Sequence, residues 1–288
     1  MLVWRILKTA AFEWFRHRSP RMGAALAYYS VFSMGPLLLL VAAIAGTFFG
    51  QDAVRGRLTE QFRSLLGPSG GRAVEAMLAG AAQPAAGQIA AVVGISLLIV
   101  AAVGVMAQLK DAMNTIWNVE EPKETSLWWY VRNYSISFAG ILALGFLLTV
   151  SLVVSAVLSA LSDWTGATAD SVILQVVNFL VSLAILSLLF AMLFKWFPDT
   201  PIAWTDVWLG AATTALLFNL GKQLIGWYVG TQGLESTYGA AASIVVLLIW
   251  IYYSAQIVLF GAELTHAYSA ETGSRRNHRP SSPTPRKE

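Results

Sequence analysis

The chain has 288 residues, 56% of them hydrophobic and only 12% charged, against roughly a quarter charged in soluble domains. That balance sets it apart from soluble proteins and places it in the membrane class. It has no cysteine, which excludes disulfides, thiolate metal sites and cysteine nucleophiles.

Residues 2–18 form an amphipathic pattern. Trp4, Leu7, Ala11, Trp14 and Phe15 recur at helical spacing, while Arg5, Lys8, Thr9, Glu13 and Arg16 face away. A helix basic on one face and Trp/Phe-bearing on the other suits the cytoplasmic lipid surface. Packing against the cytoplasmic ends of a bundle is the alternative. Pro20 is expected to end this helix and turn the chain into its first span. Residues 1–20 are therefore read as a cytoplasmic interfacial helix, and 21–270 as a transmembrane domain.

About 20 apolar residues in a helix cross a hydrocarbon core of about 30 Å. Charge-free runs of sufficient length lie at 22–51, 76–109, 133–162, 171–194 and 236–262, and Lys222 alone interrupts 207–229. Six spans follow, at about 23–49, 88–109, 134–160, 171–195, 206–229 and 240–267. Barrel strands would be about half as long and would alternate in polarity. The predicted fold is all-α, a polytopic six-helix transmembrane bundle. The first apolar run is too long for a signal-peptide core, so no cleavable leader is expected.

The first span carries GAALAYYSVFSMGP at 23–36. Tyr29, Ser33 and Pro36 fall at i, i+4 and i+7, with Ser30 beside Ser33, and make one polar stripe. In a bundle such a stripe faces protein or a water-filled cavity. Pro36 frees a carbonyl near Phe32, so a bend is expected at Ser33–Pro36. Interhelical hydrogen bonding and cavity lining are both consistent with the pattern.

The loop at 50–87 is expected to hold two short amphipathic helices, near 52–66 and 71–82, separated by GPSGG, as a cap or a lid. Asp111, Glu120, Glu121 and Glu124 share one cytoplasmic loop with Lys110 and Lys123 and read as a solvated face. Lys222 and Glu263 are the ionisable residues inside the spans, where they are expensive. Lys222 lies about 24 Å along an outward-running helix and Glu263 about 35 Å along an inward-running one, so the two cannot pair. Lys222 has Asn219 one turn before it, or snorkels to the outer head groups. Glu263 shares its membrane level with Arg21 and Lys110. A structural ion pair locking span 6 to span 1 is one reading, and a substrate or proton site the other. The sixth span opens YGAAAS, Tyr238 to Ser243, whose small residues allow close helix approach. From Gly273 the tail is polar and Pro/Ser-rich, so 271–288 is expected to be a disordered cytoplasmic tail.

Of the 19 Lys and Arg residues, 14 fall in the two termini and the loops on their side. The positive-inside rule therefore places both termini in the cytoplasm. The net charge of +3 is then an orientation signal, and nucleic acid is not needed to explain it. The three histidines, His17, His266 and His278, lie outside the bundle or at its edge, and no HxxxH, DxD or GxSxG pattern occurs. The sequence offers no catalytic residues, metal ligands or cofactor site. The expected partners are membrane lipids, with a lipid or small solute as substrate, and the oligomeric state is open.

Four stretches resemble the YihY/virulence factor BrkB family of bacterial inner-membrane proteins, once labelled ribonuclease BN. They are ALAYYSVFSMGPLLLL (25–40), NTIWNVEEP (114–122), FKWFPDTPIAWTDVWLGA (194–211) and YGAAASIVVLLIWIYYSAQIVLFGAEL (238–264). The family's first block usually ends in something like S-L-F-P-L, and here Gly35 stands in place of a bulky residue. The resemblance implies six spans with cytoplasmic ends, and roles suggested for the family include transport of envelope lipids or other solutes. Two readings follow: a transporter or lipid-handling protein with a polar intramembrane cavity, or a non-transporting structural protein of the envelope. An RNA-processing enzyme is disfavoured, because no catalytic cluster supports it.

Overall fold

A computed structural model describes residues 1–82, 104–119, 172–231 and 241–274, and every regular element among them is helical. In chain order these are α1 (Leu2–Arg16), α2 (Ser19–Phe49), α3 (Gln51–Ala82), α4 (104–116), α5 (Val172–Trp196), α6 (Trp204–Thr231) and α7 (Ala242–Glu271). The third span, most of the second, the residues Tyr238 to Ala240, and the tail beyond Ser274 lie outside the described residues.

Four spans read from charge-free runs coincide with α2, α5, α6 and α7 to within a few residues. Phe179–Trp196 and Ala242–Glu271 are long and apolar enough to cross a membrane by length and composition. On α6, Leu209, Leu216, Leu220 and Leu224 are 42–62% exposed. Their spacing of seven, four and four puts them in one stripe, a face suited to hydrocarbon rather than water.

The described chain forms two compact units: Met1–Arg18 with Ala112–Leu217 and Val258–Glu288, and Ser19–Asp111 with Phe218–Ile257. In the first, Ile6 and Ala10 of α1 pack on Leu264 and Ala267 of α7. The packed face of α1 is therefore not the stripe expected from sequence. Trp4, Phe12 and Phe15 remain 66–73% exposed on the other side. Pro20 does not end α1. Arg18, in the left-handed region at φ 57°, follows the helix end, and Pro20 occupies the first turn of α2, where its missing N–H costs nothing.

Also in the first unit, α6 and α7 cross on two Gly-xxx-Thr steps, Gly210/Thr214 and Gly261/Thr265. A Cβ on Gly210 would overlap Thr265 Oγ1 and lie 2.5 Å from the Gly261 carbonyl, and one on Gly261 would overlap Thr214 Oγ1. Only glycine admits this approach. Each threonine satisfies its hydroxyl on its own helix, Thr214 on the Gly210 carbonyl at 2.7 Å and Thr265 on that of Gly261 at 2.8 Å. Gly261 is thus a point of close approach between α6 and α7.

In the second unit, Leu38 and Ala42 of α2 pack with Val54, Val74 and Leu78 of α3, while Ile225 of α6 joins Val246, Leu247 and Trp250 of α7. Segment α3 folds back on itself. A Cβ on Gly71 would sit 3.1 Å from Arg63 Cβ and 3.5 Å from the Thr59 carbonyl, whereas residues eight and twelve apart on a straight helix are separated by about 12 and 18 Å. Helix runs unbroken from Gln51 through Pro68 to Ala82, so the two short helices expected around GPSGG are two arms of one element. They bound an open cleft of about 440 Å³ lined by Arg55, Thr59, Glu60, Arg63 and Glu75.

Candidate functional site

The polar residues of the first unit converge where α1, the end of α4, the turn after α5, the start of α6 and the end of α7 meet. At its centre is Glu263, which is fully buried. His17, one residue past the end of α1, donates from Nδ1 to Glu263 Oε1 at 2.8 Å. Its other ring nitrogen, Nε2, stands 3.6 Å from Glu13 Oε2 and 3.5 Å from the Arg16 guanidinium. Arg16 in turn pairs with Glu13. The hydrogen bond to Glu263, and then the negative charges of Glu263 and Glu13, raise the His17 pKa above its ordinary value of 6.5, outweighing burial and Arg16. Glu263 Oε2 is buried without a hydrogen-bond partner among the described residues.

His17 takes the place that the sequence reading gave to Arg21 or Lys110. Arg21 is exposed and Lys110 half-buried, and the group that Glu263 meets is the His17 imidazole. The partner comes from α1 because the Ile6/Ala10 face seats that helix along α7, which the aromatic stripe did not reveal.

Asp206 organises a second polar cluster. It lies in the first turn of α6, 1% exposed, and a carboxylate there is favoured by the helix dipole. It accepts from Ser269 Oγ at 2.9 Å, from Ser274 Oγ at 2.6 Å, from the Ser274 N–H at 3.2 Å and from Thr205 Oγ1 at 3.3 Å. A Cβ on Gly273 would lie 2.6 Å from Asp206 Oδ1, so a glycine lets the chain end of α7 pass the carboxylate.

A third contact pins α4 to the turn after α5. Asn114 Nδ2 donates to Asp199 Oδ2 and Asn114 Oδ1 accepts from the Asp199 N–H, both at 2.9 Å. Lys195 donates to the Ile202 carbonyl in the same turn. Trp117 meets the His266 ring edge-on, centroids 5.1 Å apart. Asn118, at φ 51°, closes α4 in the left-handed conformation that asparagine tolerates.

The polar stripe of α2 belongs to the other unit. Helix α2 runs from Ser19 to Phe49 without ending at Pro36. Ser33 Oγ bonds back to the Ser30 carbonyl of its own helix at 3.0 Å, and both serines are half-buried. Tyr29 is 41% exposed, with its ring 3.1 Å from where a Cβ on Gly104 would stand. Asn219 is buried at 8%. Lys222 lies in α6, but its side chain, like that of Pro36, is outside what the structure describes. The structure therefore gathers His17, Glu13 and Glu263, which the sequence reading left apart. In the same unit Gln256 of α7 lies against Gly23, where any Cβ would overlap its amide, and donates to the Pro20 carbonyl at 3.5 Å.

Two helices long and apolar enough to cross a membrane and an exposed leucine stripe fit a membrane protein. The comparisons with known proteins agree. The model of the Virulence factor BrkB family matches residues 11–285, and the chain belongs to that family. Among its relatives, a UPF0761 membrane protein of Azotobacter vinelandii is 30% identical over 283 residues, covering 96% of this chain and 65% of the relative. One of Alcanivorax borkumensis is 30% identical over 247 residues, covering 85% and 56%, and one of Pseudomonas aeruginosa is 30% identical over 253, covering 86% and 58%. The chain thus spans between 56% and 65% of the length of these relatives. No solved structure matches the chain. Three of the four stretches that carry the family resemblance, 114–122, 194–211 and 238–264, supply residues to the polar network of the first unit.

Proposed function

We propose that the protein is a multi-pass inner-membrane transporter or lipid-handling protein of the bacterial envelope, with six spans, both termini in the cytoplasm and no enzymatic activity. One observation carries this reading. Glu263 is fully buried on a helix fit to cross a membrane, and its Oε2 has no hydrogen-bond partner among the described residues. A carboxylate in such a place is costly, and ionisable residues within spans mark substrate and ion pathways. A purely structural ion pair retains its stability only when the remaining lone pairs are also satisfied.

The second reading, a non-transporting structural protein, is favoured by the tight Gly-xxx-Thr crossing and by the back-bonded Ser33, both features of closed helix packing. Reconstitution separates the two. The purified protein in liposomes carrying a fluorescent phospholipid, with an entrapped pH dye in parallel vesicles, should show protein-dependent lipid movement or proton-linked flux that Glu263→Gln diminishes. Correctly inserted protein that moves neither would leave the structural reading.

A further inference from the structure

We propose that Glu13, His17 and Glu263 form a proton-binding site, in which one proton at His17 Nε2 governs how firmly α1 is held on α7. The site shares Glu263 with the transport reading and would supply that reading with its coupling ion. Its test measures protonation and helix docking and has no transport readout, so either can fail alone.

The geometry assigns each ring nitrogen a different task. Nδ1 faces Glu263 Oε1 at 2.8 Å. With Glu263 ionised, its carboxylate only accepts, so Nδ1 then carries a hydrogen whatever the charge of the ring. Nε2 faces two groups of opposite kind at nearly the same distance, the Arg16 guanidinium at 3.5 Å and Glu13 Oε2 at 3.6 Å. A guanidinium only donates, so it suits a bare Nε2. A carboxylate accepts, so it suits Nε2–H. A proton arriving from solution therefore binds the Nε2 lone pair and exchanges the Arg16 contact for Glu13, and no other bond is made or broken. Arg16, with its side chain 52% exposed, marks the side from which that proton enters. The His17 side chain is 9% exposed and that of Glu263 not at all. Glu13 and Arg16 of α1 and Glu263 of α7 are the charged groups acting on the ring.

The same proton sets the charge that joins the helices. With Nε2 protonated, an imidazolium lies between two carboxylates, and the buried charge of Glu263 is neutralised. Without it, Glu263 keeps only a neutral hydrogen bond, and its Oε2 remains without a partner among the described residues. The other described contacts across α1 and α7 are the apolar patch of Ile6, Ala10, Leu264 and Ala267, with Phe260 and Tyr268 packed against it, and a rim pair, Arg5–Glu271 at 2.6 Å, whose arginine is 63% exposed. Exposed pairs of this kind add little. Proton loss at His17 therefore removes a large share of what holds α1 down.

The test uses the full chain, with ¹⁵N-labelled histidine, in nanodiscs of phosphatidylcholine. His17→Gln identifies the His17 signals among the three histidines. His17 should titrate at a higher pH than His278 of the polar tail, with Nδ1 protonated throughout and only Nε2 changing. Glu13→Gln, which preserves the Nδ1 bond, should lower that midpoint by about one pH unit. A role confined to packing would not move it. Docking is read in the same nanodiscs on this cysteine-free chain, as the maleimide reactivity of Ala10→Cys, buried under α7, relative to exposed Lys8→Cys at the same pH. That ratio should rise about tenfold as His17 loses its proton, and Ala267→Cys on the facing helix repeats the reading should Ala10→Cys fold poorly. A His17 midpoint at or below that of His278, a proton moving between the ring nitrogens, or a ratio flat across the titration would overturn the proposal.

Discussion

At the residue scale, the stability of this protein hangs on two buried carboxylates with contrasting support. Asp206 accepts from two serine hydroxyls, a threonine hydroxyl and a backbone N–H, whereas Glu263 has one strong partner, His17. Removing one partner of a buried pair strands the other charge and costs about 3–5 kcal/mol. His17→Gln should therefore lower the melting temperature in detergent clearly at acidic pH. Because the Glu263 hydrogen bond raises the His17 pKa above its unfolded value, the stability it adds is fully present below about pH 6.5 and is lost as pH rises through the folded value. The gap between wild type and His17→Gln should accordingly narrow as pH rises above about 6.5, and a gap that widens would contradict the assignment. Asp206→Asn leaves shape intact but weakens charge-assisted hydrogen bonds and should cost about 1.5–3 kcal/mol. Thermal unfolding at fixed pH checks this, and no change would mean that Ser269 and Ser274 do not hold the end of α7 as described.

Among the helices, the α6–α7 crossing makes a prediction that distinguishes two glycines alike in sequence. A Cβ on Gly261 meets mainly the Thr214 hydroxyl, a side chain, whereas one on Gly210 also meets the Gly261 carbonyl at 2.5 Å, which is backbone. Both alanine variants should destabilise by about 1–3 kcal/mol through overpacking. Thr214→Ala should recover part of the loss in Gly261→Ala, and Thr265→Ala should recover little in Gly210→Ala. Melting curves of the four single and two double variants decide it. Both steps read Gly-xxx-Thr in the sequence, but the reading of small residues stopped at Tyr238–Ser243, of which Tyr238 to Ala240 lie outside the described residues. Helix α1 shows the opposite limit. Its aromatic stripe was legible, yet its partner was not, because Ile6 and Ala10 form a second, smaller apolar face and only docking reveals which one packs. With that face unread, His17 looked like an edge residue and Glu263 was given Arg21 or Lys110. The Asp206 partners Ser269 and Ser274 lie more than sixty residues on, a separation at which no local pattern speaks.

For the molecule as a whole, the all-helical class and the bounds of α2, α5, α6 and α7 were legible because hydrocarbon forbids charge over the length of a span. What composition does not convey is the lateral arrangement of the spans, which depends on a few glycines, hydroxyls and one imidazole. The functional reading further requires Glu263 to lie within the membrane near its cytoplasmic side. Cysteine accessibility in intact cells tests this most directly, since the chain has no cysteine of its own. Single cysteines at exposed positions Gln51, Asp52 and Gly56 of α3 should react with a membrane-impermeant maleimide added outside. Those at exposed Arg5 and Lys8 of α1 should react only after the cells are opened. Labelling of α1 from outside, or protection of α3, would contradict the orientation and with it the placement of Glu263.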